Sequence, residues 1–277
     1  MTDLRSHVQH TTLLLLRANS YEEEYLCWAL GMTYEKILEA SMLYNLGVDQ
    51  TQNEVFDSVA LRYAMHLYNR LPGSWHLVRQ KLIARILAEV RPARIVEIGF
   101  GTPQQYVREA IFRRLMTSEN VSIHLSDVGY SSMAFGQSLL SLWEASWSKT
   151  VRFRSFAMEY DGKKYHDNCN YAGDYDCYIF QDSIEHVLDP TTYLQVTVSR
   201  APRGAHFLFS LPIEVVKVMP QHVISWRDAG EVQQWLSDAG LSVLFRQEIL
   251  VDRSVDVFAQ KLHPDYRQVV FYCQKPL

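Results

Sequence analysis

Two periodicities divide the chain near residue 90. Before it, Leu, Tyr, Met and Ala recur at intervals of three and four residues, and β-rich runs are missing. That spacing stacks apolar side chains on one helical face. It predicts helices over 6–17, 21–46 with a break near Gly31, 52–70 and 74–89, with Pro72-Gly73 marking a turn. After residue 90, short apolar runs alternate with helical stretches. Strands are expected from Arg94, over Val121 to Leu125, Val151 to Ala157, Tyr175 to Phe180, His206 to Ser210, Leu241 to Leu250 and Gln268 to Cys273. A helix is expected over Ala229 to Gly240, stopped by glycine. Another starts at Asp189-Pro190, where a capping aspartate precedes a proline whose missing N–H would be orphaned anyway. Such alternation predicts an α/β domain over 91–277 built on a mostly parallel sheet covered on both faces, with ligands at the carboxyl ends of the strands. Residues 1–90 form a helical extension, expected to pack on this core because no repeat, low-complexity tract or flexible linker interrupts the chain.

The most informative stretch is Arg94-Ile-Val-Glu-Ile-Gly-Phe-Gly-Thr-Pro-Gln104, a strand that runs into a glycine turn. Glycines tolerate positive φ and carry no Cβ, so backbone N–H groups in such a turn approach a ligand closely. A dinucleotide fingerprint would place a third glycine three residues after Gly101, where this chain has Gln104. Glu97, just ahead of the turn, suits a ligand with a cationic amine. Asp127 ends the second strand and is placed to accept ribose hydroxyls. Glu159 and Tyr160 follow the third, and Gln181, Asp182 and Ser183 follow the fourth.

Glu97-Ile98-Gly99-Phe100-Gly101, with those partners in order, resembles the first motif of class I S-adenosylmethionine (SAM) dependent methyltransferases. The resemblance covers residues 90 to 277. It implies a Rossmann-like, seven-stranded, mostly parallel sheet. It also implies SAM contacts from Glu97, Gly99, Gly101, Asp127, Glu159, Tyr160, Gln181, Asp182 and Ser183. Asp182 to Pro190 and Gln221 to Trp226 resemble the small-molecule branch of that family, and His222 and Trp226 are candidates for the acceptor side. Within the superfamily, the helical extension, the truncated glycine motif and the tyrosine-rich cover are similar to bacterial azetidine-2-carboxylate synthases. In these the α-amine of SAM attacks its own γ-carbon and methylthioadenosine leaves. The resemblance thus admits SAM as methyl donor to a small metabolite of secondary metabolism, or as sole substrate. A non-catalytic SAM-binding scaffold is the third reading.

Candidate chemistry beyond the SAM contacts is sparse. Imidazoles as a class change charge near neutrality, and His186 is the one histidine inside a functional motif, which makes it the candidate base. Asp182 or Asn170 would suit the ligand's amine. Tyr21 and Tyr25, one helical turn apart in the extension, would offer ring faces to a sulfonium if the extension closes over the carboxyl edge of the sheet as a lid; aromatic stripes at that spacing also serve as core. The run Glu22-Glu23-Glu24 reads as a solvated face. Cys27, Cys169, Cys177 and Cys273 lack metal spacing, and no zinc pattern, Ser-His-Asp set or phosphate loop occurs, so no metal is expected.

Composition narrows the class. The chain has 277 residues, 48% of them hydrophobic, and a net charge of −4, enough for one large domain plus an extension. With a pI near 6.2 there is no basic stripe for nucleic acid, so a small substrate, free or on a carrier protein, is expected. Leu13 to Leu16 ends at Arg17, far short of a bilayer span, and no signal-peptide pattern precedes it. A cytoplasmic enzyme follows, with its oligomeric state left open.

Overall fold

The structure, a computed structural model, describes residues 33, 66, 69, 74–102, 104, 106–107, 121–127, 132–137, 151–155, 158–160, 165–167, 175–215, 222–251 and 264–277, with backbone alone between 151 and 167. The expected extension helices before residue 74 lie outside this set. The first helix described, α1 (Trp75–Val90), starts where Ser74 caps it by accepting from the Leu77 N–H at 3.2 Å. It ends at Arg91, which takes a left-handed φ of 53°. Trp75, Arg79, Ile83 and Leu87 form one buried stripe along α1, which packs against the sheet at β8 and β9 defined below.

The strands are β1 (Arg94–Ile98), β2 (Ser122–Asp127), β3 (Val151–Ser155), β4 (Met158–Tyr160), β5 (Tyr165–Asp167), β6 (Cys177–Gln181), β7 (His206–Ile213), β8 (Ser242–Ile249) and β9 (Arg267–Gln274). Seven of them form one sheet in the order β3-β2-β1-β6-β7-β9-β8. The first five neighbours run parallel, and β9 is inserted antiparallel between β7 and β8. β4 and β5 pair separately as an antiparallel hairpin. The strand expected from Val151 to Ala157 is described from Val151 to Ser155, and the hairpin follows it from Met158.

Two further helices, α2 (Pro190–Arg200) and α3 (Ala229–Asp238), follow β6 and β7. Asp189 caps α2 through the Thr192 N–H at 3.0 Å, with Pro190 in the first turn. Asp228 caps α3 through Gly230 and Glu231 N–H groups at 2.6 and 3.0 Å. Phe180 stacks on Phe209 at 5.2 Å and Tyr178 on Phe207 at 4.8 Å, joining β6 to β7 within a core closed by Leu194, Val198, Val232 and Leu236 of the helices. Among the described residues no helix is long and apolar enough to cross a membrane.

Strand order reverses between β1 and β6, since the chain winds outward to β2 and β3 on one side and to β7 on the other. Crevices at such a reversal, beyond the carboxyl ends of the strands, are where open α/β sheets bind ligands. The turns after β1 and β6 flank this one.

Candidate functional site

Register sets the site. Glu97 of β1 lies beside Leu125 of β2 and Ile179 of β6, one residue short of the strand's end, and its side chain is fully buried. Tyr106 donates its hydroxyl to one carboxylate oxygen at 2.6 Å, and Gln181 at the end of β6 donates to the other at 2.7 Å. Burial pushes the Glu97 carboxyl up to about 8; these hydrogen bonds and the positive charge of Arg79 pull it back only in part, and Asp127 opposes them. Tyr106 is itself held well above its ordinary range by burial and by Glu97, so it stays a donor.

The glycine turn follows. Gly99 and Gly101 both have positive φ, 71° and 56°. The Gly99 and Phe100 N–H groups donate to the Ser126 carbonyl at 2.8 and 3.1 Å, and Gly101 donates to the Asp127 carboxylate at 2.8 Å. Asp127 thus fastens the turn to the end of β2. A Cβ on Gly99 would stand 2.6 Å from the Cβ of Ser183, so the two turns at the reversal meet here at glycine's own distance.

Across the crevice, Asp182 takes a left-handed φ of 47°, uncommon for a residue with a Cβ and a form of local strain that gathers at functional sites. Its N–H donates to the Ser210 carbonyl at 2.9 Å, and its carboxylate accepts a hydrogen bond from Arg79. Arg79 reaches in from α1, 3% exposed, with its guanidinium over the Trp75 ring at 5.1 Å and 3.5 Å from the Ser210 hydroxyl. Burial lowers its pKa to about 10, still far above neutrality. Ser210 donates to Gln268, which in turn donates to the Tyr266 hydroxyl. Against this one buried cation stand Glu97, Asp127, Asp182, Glu185 and Glu214, so among the described residues the carboxyl edge of the sheet is acidic.

The sequence-predicted residues divide clearly. Glu97, Gly99, Gly101, Asp127, Gln181, Asp182 and Ser183 come together around the β1–β6 reversal. Glu159 and Tyr160 fall in the β4–β5 hairpin, where only the backbone is described. Tyr21, Tyr25 and Asn170 lie outside the described residues. His186 is exposed on a 3₁₀ turn, Ile184–His186. His222 is buried, with its Nδ1 2.9 Å from Glu214. Trp226 is a core residue, packed on Trp235 at 5.0 Å. Sequence reasoning missed Arg79, Tyr106 and Glu214. Arg79 leaves a trace, a charge at the second position of the stripe Trp75, Arg79, Ile83, Leu87; the other two leave none.

Three orphaned polar atoms line the turn after β6: Gln181 Oε1, Asp182 Oδ1 and Ser183 Oγ are buried without hydrogen-bond partners. Unmet groups of this kind cost free energy unless a ligand or water meets them. Gln181 Oε1 and Asp182 Oδ1 are acceptors and Ser183 Oγ both donates and accepts, so a polar ligand group carrying N–H donors would satisfy them.

Sheet order, crevice and glycine turn together define a Rossmann-like domain of the class I methyltransferase fold. Solved structures share it. The chain superposes on the [4+2]-cyclase SpnF with a TM-score of 0.54 at 15% identity, covering 74% of this chain and 84% of that one. On the N-methyltransferase NodS from Bradyrhizobium japonicum WM9, in complex with S-adenosyl-L-homocysteine, the score is 0.52 at 13% identity, with 75% and 91% covered. On an O-methyltransferase family protein from Burkholderia thailandensis it is 0.53 at 11% identity, with 88% and 72% covered. At such identities the likeness is one of fold. No protein-family model and no curated protein matches the sequence.

Proposed function

We propose that the protein is a SAM-dependent enzyme of small-molecule metabolism that transfers the SAM methyl group to a small metabolite, free or on a carrier protein. The observation that carries this reading is the Glu97–Gly99–Gly101–Asp127 constellation at the sheet's reversal, facing three orphaned polar atoms across the crevice. Glu97 and the acidic edge attract the cationic amine and sulfonium. Asp127 accepts from the ribose hydroxyls while holding the turn. Gln181, Asp182 and Ser183 meet the amino-acid end. NodS, of the same fold, is complexed with S-adenosyl-L-homocysteine, the product such a transfer leaves. Methyl transfer then asks mainly for alignment of an acceptor lone pair with the methyl carbon, opposite the sulfur.

A second reading is favoured by one specific feature, the Glu97 carboxyl held at about 8. Intramolecular cyclisation of SAM needs its α-amine unprotonated. A carboxylate of matched pKa beside that amine is suited to take the proton. The amine nitrogen then attacks the γ-carbon, the carbon–sulfur bond breaks with its electrons going to sulfur, and azetidine-2-carboxylate and methylthioadenosine form. In either reading the part of the extension that precedes α1, with Tyr21 and Tyr25, serves as the lid.

Incubation of pure protein with SAM alone, followed by mass spectrometry, separates the readings. Methylthioadenosine together with the ring product identifies the cyclase. S-adenosylhomocysteine that forms only when small metabolites are added identifies the methyltransferase. Binding of SAM with neither product, even in metabolite extracts, would reduce the protein to a SAM-binding scaffold and sink both.

A further inference from the structure

The turn after β6 and the loop after β7 gather a second set of side chains, none of them among the proposed SAM contacts. Glu185 and His186 sit on the 3₁₀ turn and His222 on the loop leading to α3; one ligand-competent atom of each lies within 4.8 Å of the others. The backbone holds them together, because the Val223 N–H donates to the Glu185 carbonyl at 2.7 Å. The His186 and His222 rings meet edge to face at 4.8 Å.

Glu185 is the anomaly. It is fully buried, and neither carboxylate oxygen has a hydrogen-bond partner; the backbone N–H groups of Ser183 and of Glu185 itself face it without meeting bonding geometry. The nearby cation, Arg79, gives its hydrogen bonds to Asp182 and Ser210. A buried acceptor pair of this kind calls for a cation or a donor. His222 is prepared to help supply one. Glu214, 2% exposed, lies 2.9 Å from its Nδ1 and so favours the tautomer protonated there. That tautomer leaves the Nε2 lone pair to ligate, the carboxylate–histidine arrangement that orients metal ligands.

We propose that Glu185, His186 and His222 form a binding site for a divalent transition-metal ion, Zn²⁺ being the best match to two imidazoles and a carboxylate. Ligand atoms on a tetrahedral ion with bonds of about 2.1 Å stand roughly 3.4 Å apart, so side-chain rotation closes the observed set. Exposed His186 opens the site to solvent. Three protein ligands leave one position for water or for an oxygen or nitrogen of an acceptor molecule. The ion would sit beside the SAM crevice, since Ser183, two residues before Glu185, abuts the glycine turn. The metal site does not depend on SAM being the ligand.

The test uses untagged, full-length protein stripped with chelator and titrated with Co²⁺, whose visible ligand-field bands report low-coordinate nitrogen and oxygen ligation. One saturable equivalent, displaced by Zn²⁺, is expected. Glu185→Gln and His222→Ala should each abolish the bands, Glu214→Gln should weaken binding roughly 10- to 100-fold, and His206→Ala, remote on β7, should change nothing. Glu185→Gln is isosteric, and cooperative thermal melting of each variant verifies the fold. Absence of saturable bands in the wild type would overturn the site, as would bands that survive Glu185→Gln and His222→Ala combined.

Discussion

Burial holds the Glu97 carboxyl at about 8, and the direction of that shift sets how this residue responds to pH. The unfolded chain releases the proton near 4.5 and the folded chain near 8, so between those values the folded state binds more protons. The contribution of Glu97 to stability is therefore full below the unfolded value and is lost as pH rises through the folded one. A cationic ligand needs the ionised form. SAM binding should accordingly release a proton below pH 8 and strengthen as pH climbs toward it, which calorimetry in buffers of different ionisation enthalpy would detect. Glu97→Gln should remove that proton release and weaken SAM binding about 10- to 100-fold, the loss of a charge-assisted contact. Proton release that persists in the variant would assign it to another group.

At the level of elements, the turn after β1 and the helix after β6 make separate demands. Gly99 needs a positive φ and a bare Cα against Ser183. Gly99→Ala should cost about 1–2 kcal/mol for the left-handed backbone alone, with the 2.6 Å approach adding to it. Adding Ser183→Gly should recover the steric part but not the backbone part; equal melting temperatures for the single and double variants would place the cost wholly in φ. Asp189 acts locally. The Thr192 hydrogen bonds lower its pKa, so its stabilisation is present above the unfolded value of 3.8 and is lost as pH falls through the folded one. Asp189→Ala should cost about 1 kcal/mol, or about 2–4 °C of melting temperature for a domain of this size. That difference should vanish in strong acid. The Asp189 cap, and the strands at 94, 122, 177, 206, 242 and 267, were legible in the sequence because alternation, capping residues and glycines act over a few neighbours. The β4–β5 hairpin was not, since its two strands have three residues each, too few to show a period. The contacts that complete the site were hidden for a different reason. Arg79 finds Asp182 across 103 residues, and Glu97 finds Gln181 across 84, distances over which only the folded sheet carries information.

For the whole molecule, the decisive question is where the extension ends and the sheet domain begins. The change of periodicity near residue 90 suggested a boundary there, yet α1 already packs on β8 and β9, and Arg79 on its buried stripe is the cation that faces Asp182. Residues 75–90 are therefore needed by the site itself, whatever the preceding segment does. Two truncations separate the roles. Removal of residues 1–45 keeps α1 and every contact described above, so the protein should melt cooperatively and still bind SAM. Turnover should be lost if Tyr21, Tyr25 and their neighbours close the crevice. Removal of residues 1–90 takes away Arg79 and leaves Asp182 and Glu185 without their opposing charge. It also uncovers the part of the sheet beneath α1, so SAM binding should fail along with cooperative melting. Wild-type turnover in the shorter truncation would refute the lid. SAM binding in the longer one would show that Glu97, Asp127 and the two turns hold the ligand without help from α1.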